Sequence, residues 1–508
     1  MTRRRRFLDG IGFGYLHMVL VTLVGLWLTP FLLTHVGQRD LGLWMLATQV
    51  LSYIALLDVG VAALLPREVA YATGRTGDDS TAELVILLGR VRRITRWQVP
   101  LVAGAAVVAL WAMPESWTGL RGPLALVLAA YVTLFPVRLY QSLLQGLQDL
   151  RFLGQVQLAG WAATTALTVA LVAAGWGLWA LVAGAAAMQL ATATACAVRV
   201  SRRHPALWHA SADQTSWPAI RRYLEQSGWV SVAQVAQLFM NGTDILIIGG
   251  FLGPAAVVPY SCTSKLVSVL GNHPQLLMQS AAPILSELRA SGNTARLRDV
   301  SLALARGMLL LSGAVACAVI VANQGFVSWW VGPAQFGGGV LTLALVANMA
   351  LRHWNTTVVY SLFCFGFERR ISLTTIADGL LSVILAAVLV PVVGLVGAPL
   401  GSIVAVLCVS LPMNLRGLGA ALETSPWRLL AAHSSFASRF IPLAAAAATL
   451  GLWLAGGWQR VLIGSAVVGI VYVAVMLPLA FRPPLGEYVR WWLAQVGLGA
   501  KAAQPQVP

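Results

Sequence analysis

The sequence has little charge for its length. Only 10% of its 508 residues are Asp, Glu, Lys or Arg, against roughly 25% in an average soluble protein. Hydrophobic residues make up 58% of the chain, and the mean hydropathy is +0.77. A soluble globule of this composition would have too few polar residues to cover its surface. A protein surface that faces lipid needs no such residues. The composition therefore excludes an ordinary soluble protein and predicts an all-α polytopic membrane protein.

Enzyme signatures are also missing. No His precedes a Glu, which excludes the HExxH zinc motif, and neither Lys follows a Gly, which excludes a Walker A loop. No DxD cluster occurs, and Asp78-Asp79 lies in a loop rich in Gly, Thr and Ser. The cysteines have no CxxC or zinc-ligand spacing; they are Cys196, Cys262, Cys317, Cys364 and Cys408. We expect no enzymatic activity, no metal and no cofactor.

Long apolar runs recur along the whole chain. A membrane-spanning helix needs about 20 mainly apolar residues, and this criterion predicts about fourteen spans. They are 11–34, 41–65, 97–113, 122–144, 153–174, 176–198, 226–251, 255–283, 301–322, 338–364, 372–391, 396–415, 437–456 and 460–480. The outward connections between them are short, so we expect no external domain.

The distribution of basic residues predicts the orientation. With a cytoplasmic N-terminus, most of the 34 Lys and Arg residues fall on inside connections, whereas outside connections carry only Arg39, Arg121 and Arg460. The net charge of +16 is thus explained by topology and anionic headgroups rather than by nucleic acid. We predict that both termini are cytoplasmic.

An internal repeat divides the chain. Gly37 to Trp44 recurs as Gly253 to Tyr260, and Gly177-Leu178 recurs as Gly394-Leu395. The near-constant offset predicts two six-helix lobes of parallel topology. The predicted division is an N-lobe at 1–199, a cytoplasmic linker at 200–225, a C-lobe at 226–418, and two further helices with a cytoplasmic tail at 419–508.

Loose motifs along the first twelve predicted helices resemble a known superfamily. They are Leu32-Leu-Thr-His-Val-Gly37 with Leu41-Gly-Leu-Trp44, Leu56-Leu-Asp-Val-Gly60, Asp244-Ile-Leu-Ile-Ile-Gly249 with Leu252-Gly253 and Tyr260, Ala282-Pro-Ile-Leu-Ser-Glu287, and Gly394-Leu-Val-Gly-Ala398. In their joint order the sequence resembles the multidrug/oligosaccharidyl-lipid/polysaccharide exporter superfamily, and within it the O-antigen and polysaccharide flippases. The resemblance implies a V-shaped pair of lobes that flips an undecaprenyl-pyrophosphate-linked oligosaccharide across the bacterial inner membrane by alternating access.

Ionisable residues inside the predicted spans are the candidate site residues, because a charge at the bilayer centre costs at least about 2.5–3.5 kcal/mol. The candidates for a substrate cavity are Arg352, Arg138, Lys265, His353 and Asn241; the candidates for coupling or ion pairing are Asp58, Asp244 and Asp378. Arg352 ranks first because no acid lies within a helical turn of it. The alternative is structural pairing: Asp244 with Lys265, Asp58 with Arg138, and Asp378 as the rival partner of Arg352.

Other functions stay open at this point. A cation-coupled multidrug exporter of the same superfamily is the main alternative, although buried cations favour an anionic substrate. A membrane glycosyltransferase or polymerase is a further alternative, and it would need paired carboxylates or a metal site. The expected partners are the lipid-linked oligosaccharide, membrane lipids and, through the resemblance, polysaccharide polymerase or assembly proteins. Proton or sodium coupling is left undecided.

Overall fold

The computed structural model of the protein describes residues 3–74, 79–209, 216–290, 294–453 and 458–495, and the regular secondary structure in these ranges is helical. The first ten α-helices are α1 Arg3–His35, α2 Gln38–Ala55, α3 Val61–Gly74, α4 Asp79–Trp111, α5 Arg121–Leu134, α6 Leu139–Gly146, α7 Leu150–Ala173, α8 Leu178–Arg203, α9 Pro205–Trp208 and α10 Trp217–Asn241. The others are α11 Thr243–Phe251, α12 Pro254–Ala290, α13 Thr294–Trp330, α14 Gly339–Cys364, α15 Glu368–Val393, α16 Gly397–Ala405, α17 Leu411–Ala421, α18 Pro426–Ala431, α19 Ser434–Trp453, α20 Trp458–Ala480 and α21 Leu485–Gln495.

The predicted spans fall largely on these helices, singly or as consecutive pairs. Within the described ranges, eight helical stretches are long and apolar enough to cross a membrane, or nine if α10 and α11 form one span. The stretch Arg369–Ala421 counts once in that total although it contains α15, α16 and α17. The all-α membrane class is therefore confirmed, and the number fourteen stays a prediction.

The chain forms two compact units. One, here called the N-unit, comprises Met1–Leu238 with Gly253–Ala255; the other, the C-unit, comprises Phe239–Leu252 with Ala256–Pro508. Within the C-unit, α19 and α20 pack against α13. The division into four segments at 199, 225 and 418 stays a prediction.

Each unit has its own apolar core. In the N-unit, Leu65, Val69, Leu88 and Leu144 are at most 1% exposed where α3, α4 and α6 meet. In the C-unit, a second core joins α12, α13, α14 and α17, and its most buried members include Leu362 and Val406. Close-packed interiors resist changes in volume, so these cores hold the polar side chains described below in fixed positions.

Repeated glycines adopt the same backbone conformation. Gly37 and Gly253 have φ values of 90° and 88°, and Gly177 and Gly394 have φ values of 54° and 68°. Gly37, Gly177 and Gly253 immediately precede a helix, and Gly394 begins the 3₁₀ turn that leads into α16. A positive φ is readily available to glycine and costly for other residues, so these positions explain why the repeat is most visible at its glycines.

Gly401 lies at a close helix crossing, and replacing it is expected to destabilise the C-unit. A Cβ at this position would lie 2.6 Å from the backbone nitrogen of Ala386 on α15. We expect Gly401→Ala to lower the stability by about 1–3 kcal/mol, the usual cost of overpacking. The midpoint of thermal unfolding of the purified protein measures this effect. Gly469→Ala is the matched control, since a Cβ added there would have no atom within 4 Å. Equal unfolding midpoints for the two variants would contradict the close approach of α16 to α15 at Gly401.

Candidate functional site

Several helices are interrupted close to the candidate residues. After α2, a 3₁₀ turn at Leu56–Asp58 leads into Val59 and Gly60, whose φ values are 50° and 67°. A second 3₁₀ turn, Phe135–Val137, separates α5 from α6 immediately before Arg138. In the C-unit, α11 begins one residue before Asp244. Interrupted membrane helices leave backbone and side-chain polar groups available for function, and Asp58, Arg138 and Asp244 lie at such interruptions. The other charged candidates, Lys265, Arg352 and Asp378, lie inside continuous helices.

In the C-unit, Arg352 on α14 forms a salt bridge with Asp378 on α15. Its Nη1 donates to Asp378 Oδ2 at 2.9 Å, and the two side chains are 13% and 1% exposed. Its Nε and Nη2 donate to Ser402 Oγ on α16 at 3.0 and 2.7 Å. One guanidinium therefore joins three helices through hydrogen bonds from Nε, Nη1 and Nη2.

The polar network extends beyond this pair. Ser410 Oγ donates to Asp378 Oδ2 at 2.8 Å, and Ser402 Oγ donates to Asn348 Oδ1 at 3.0 Å. The second carboxylate oxygen of Asp378, Oδ1, is buried and has no hydrogen-bond partner among the described residues. The network is thus almost complete, with one unused acceptor at its most buried point.

The expectation of an isolated Arg352 is corrected by this arrangement, and Asp378 is its partner. The sequence offered Asp378 only as an alternative partner, because the two residues are 26 positions apart on different helices. Whether Arg352 also binds substrate is a separate question, and that role stays a hypothesis. In this structure its charge is already neutralised.

The alternative pairing of Asp244 with Lys265 is not found among the described residues. Asp244 Oδ2 instead accepts a 2.6 Å hydrogen bond from the hydroxyl of Tyr260 and interacts electrostatically with Arg352. Lys265 follows Tyr260 by five residues, which places it about 140° further around α12 in an α-helix of 3.6 residues per turn. Lys265 takes part in none of the ion pairs formed by the described residues.

In the N-unit, Asp58 and Arg138 interact without forming a salt bridge. Asp58 Oδ2 accepts the backbone N–H of Ala62 at 2.8 Å at the start of α3, and its main-chain oxygen accepts from Gln98 Nε2 at 2.7 Å. The Arg138 guanidinium lies over the Tyr131 ring, 4.5 Å from its centroid. Asp58 is therefore engaged in capping α3, and its effect on Arg138 is electrostatic only.

Arg138 lines a cavity of about 350 Å³ inside the N-unit. Side chains from α2, α5, α6, α7 and α8 line this open cavity, Tyr131 among them, and Arg138 itself is exposed. Neutral polar groups complete the lining: the hydroxyls of Ser52 and Thr192 and the amides of Gln141, Gln157 and Gln189. This cavity therefore combines one cation with several uncharged polar side chains.

The two remaining candidates are His353 and Asn241. His353 is 3% exposed, and its Nδ1 lies 2.7 Å from Ser312 Oγ on α13. It is packed inside the C-unit in this conformation. The side chain of Asn241 lies outside the described residues, although the residue ends α10.

An apolar groove of about 670 Å³ lies in the C-unit between α13, α14, α18 and α19. Its wall contains Leu309, Leu351, Leu430, Phe436 and Phe440. Almost no polar surface borders it, so it suits a hydrocarbon chain rather than a headgroup.

Sequence reasoning missed the uncharged members of both sites. Asn348 and Arg352, and Asp378 and Ser382, are each spaced i, i+4 and so share a helix face. Ser382 accepts from Arg352 Nη2 at 3.3 Å. A search for polar residues at this spacing around each buried charge would have found them, whereas the glutamines of the N-unit cavity come from different helices and give no such signal.

Comparisons with known proteins agree with the fold. A model of the family described as "Polysaccharide biosynthesis protein" matches residues 123–311. The structure is similar to that of a lipid II flippase MurJ in an inward closed conformation, with a TM-score of 0.66 and 10% identity over 93% of this chain and 100% of that one. It is also similar to an inward-facing multidrug resistance MATE family transporter of the MOP superfamily, with a TM-score of 0.60 and 14% identity over 78% of this chain and 94% of that one. No curated protein matches by sequence.

Proposed function

We propose that this chain, whose fold is similar to those of a lipid II flippase and a MATE family transporter, is a flippase for lipid-linked oligosaccharides of the multidrug/oligosaccharidyl-lipid/polysaccharide exporter superfamily. Its substrate is an undecaprenyl-pyrophosphate-linked oligosaccharide, such as an O-antigen or another polysaccharide repeat unit. It moves this substrate from the inner to the outer leaflet by alternating access, without hydrolysing ATP.

The match to the polysaccharide-biosynthesis model carries the proposal. The matched segment, residues 123–311, contains Arg138 and Lys265, the two intramembrane cations of the candidate set that form no salt bridge among the described residues. The match to a polysaccharide family and the two cations without a salt bridge therefore lie in the same part of the chain.

The charges favour an anionic substrate. Arg352 forms a salt bridge with Asp378, whereas Arg138 and Lys265 form none among the described residues, and Asp58 acts on Arg138 only electrostatically. A pyrophosphate or an acidic sugar would complement these two cations. An organic cation would be repelled by the same side chains. The two cations therefore favour an oligosaccharide flippase over a multidrug exporter.

The apolar groove of the C-unit supports a substrate with a long hydrocarbon chain. Its wall is made of aliphatic and aromatic side chains from α13, α14, α18 and α19. A polyprenyl chain lying there buries apolar surface on both sides, while its headgroup needs a polar site elsewhere. A soluble sugar would have no use for such a groove.

Coupling and location complete the proposal. Asp58, Asp244 and Asp378 are the candidate groups for proton or sodium coupling, because each is a carboxylate inside a predicted span. We place the protein in the bacterial inner membrane with both termini in the cytoplasm, where polysaccharide polymerase or assembly proteins are its expected partners.

Reconstitution tests the function directly. Purified protein in liposomes is expected to move a fluorescent undecaprenyl-pyrophosphate-linked disaccharide between leaflets, as measured by quenching with a membrane-impermeant reductant. The movement should need no ATP and should not occur in empty liposomes. Transport of ethidium by the same vesicles, with no movement of the lipid-linked probe, would instead establish the multidrug exporter.

A further inference from the structure

The N-unit cavity around Arg138 has a chemical character that the flippase proposal does not specify. Its volume of about 350 Å³ is within the range of roughly 300–1,000 Å³ typical of small-molecule sites. It lies in the N-unit, whereas the apolar groove lies in the C-unit. It therefore provides a polar site that is distinct from the hydrocarbon surface.

The cavity combines one cation with many neutral hydrogen-bonding groups. Arg138 is its only charged lining residue among those described, and three amides and two hydroxyls from α2, α6, α7 and α8 surround it. Side-chain amides donate and accept hydrogen bonds, as the hydroxyl groups of a sugar do. A di-anionic pyrophosphate would be balanced by one guanidinium only in part, whereas a single carboxylate would be matched.

Two further features of the cavity indicate a ligand. Gln189 Oε1 is buried and has no partner in the described part of the chain, and a buried acceptor left unpaired costs about 1–3 kcal/mol. The guanidinium of Arg138 is stacked on Tyr131 at 4.5 Å. The aromatic ring contacts only the flat face of the guanidinium. The N–H groups lie in the guanidinium plane and can still donate to a carboxylate. The cavity thus lacks a hydrogen-bond donor at Gln189 Oε1. Arg138 interacts electrostatically with Asp58 but forms no salt bridge among the described residues, so its N–H groups can bind a carboxylate.

We propose that this cavity binds an acidic sugar of the transported glycan, with its carboxylate on Arg138 and its hydroxyl groups on Gln157 and Gln189. The proposal rests on the flippase function and adds a substrate class to it. It makes the N-unit the part of the protein that selects the glycan.

Ligand-observed NMR on the purified full-length protein tests the binding. We expect methyl glucuronide to bind about tenfold or more tightly than methyl glucoside, the change that one charge-assisted hydrogen bond produces. Arg138→Ala should abolish this difference, and Arg138→Lys should keep part of it. Gln157→Leu should weaken both sugars, whereas Gln155→Leu, an exposed residue on the same helix that does not line the cavity, should weaken neither.

Three outcomes separate the interpretations once thermal unfolding shows that the variants are folded. Equal binding of glucuronide and glucoside by the wild type overturns the proposal. Inorganic pyrophosphate that binds more tightly than glucuronide, and loses that advantage in Arg138→Ala, assigns the cavity to the linkage and also overturns it. Glucuronide binding through Arg138 by a protein that moves no lipid-linked probe supports the sugar site and contradicts the flippase function.

Discussion

Arg352→Met is expected to lower the stability of the protein by about 3–5 kcal/mol, because it leaves the carboxylate of Asp378 buried without its partner. Asp378 is 1% exposed and shares its Oδ2 between Arg352 and Ser410. Methionine keeps much of the arginine's length but donates no hydrogen bond. The midpoint of thermal unfolding in detergent, followed by size-exclusion chromatography, measures the loss.

Removing both charges separates pairing from a substrate role. Arg352→Met with Asp378→Leu should recover most of the lost stability, since a buried ion pair can often be replaced by apolar residues. Arg39→Met is the matched control, because Arg39 is exposed and its hydrogen bond to Ser116 is long, at 3.5 Å. A single Arg352→Met variant as stable as the wild type would contradict the salt bridge.

Transport by these variants then decides the role of Arg352. If the residue also binds substrate, a folded double variant should still lose transport, and Arg352→Lys should transport more than Arg352→Ala. Full transport by the folded double variant would make Arg352 a purely structural residue. The assay is the movement of the fluorescent lipid-linked disaccharide in liposomes.

Lys265→Met is expected to reduce transport by about tenfold or more while leaving stability almost unchanged. Lys265 is half-buried on α12 and joins none of the ion pairs seen among the described residues, so its removal leaves no carboxylate unpaired. An ammonium group that contacts an anionic substrate contributes about 1.5–3 kcal/mol through a charge-assisted hydrogen bond. Initial rates of probe movement at limiting substrate concentration measure the effect.

Lys265→Arg is the control for charge. It keeps the positive charge, so transport should stay closer to the wild type than in Lys265→Met. A large loss of thermal stability in Lys265→Met would indicate a structural pairing instead. Unchanged transport in a folded Lys265→Met variant would remove the residue from the substrate site.

The fold class followed from the sequence because every membrane-spanning helix must meet the same requirements of length and apolar character. Apolar runs of sufficient length predict membrane helices wherever they occur, and the eight described stretches that pass the length and hydropathy test confirm that class. The glycines of the repeat were also visible, since a positive φ restricts the residue type at Gly37, Gly177, Gly253 and Gly394. Local rules such as these need no knowledge of which helices touch.

The pairing of charges was decided only by the tertiary structure. The sequence listed Arg352 and Asp378 as candidates, but their contact depends on how α14, α15 and α16 pack. For the same reason the sequence could suggest Lys265 as a partner of Asp244. In the structure Asp244 instead accepts a hydrogen bond from Tyr260, which lies on a different side of α12 from Lys265. The N-unit cavity needed side chains from five helices. Composition and periodicity determined that this chain is a membrane protein with buried charges, and helix packing determined which charges neutralise each other and which stay available to a ligand, because that depends on distances between residues far apart in the chain.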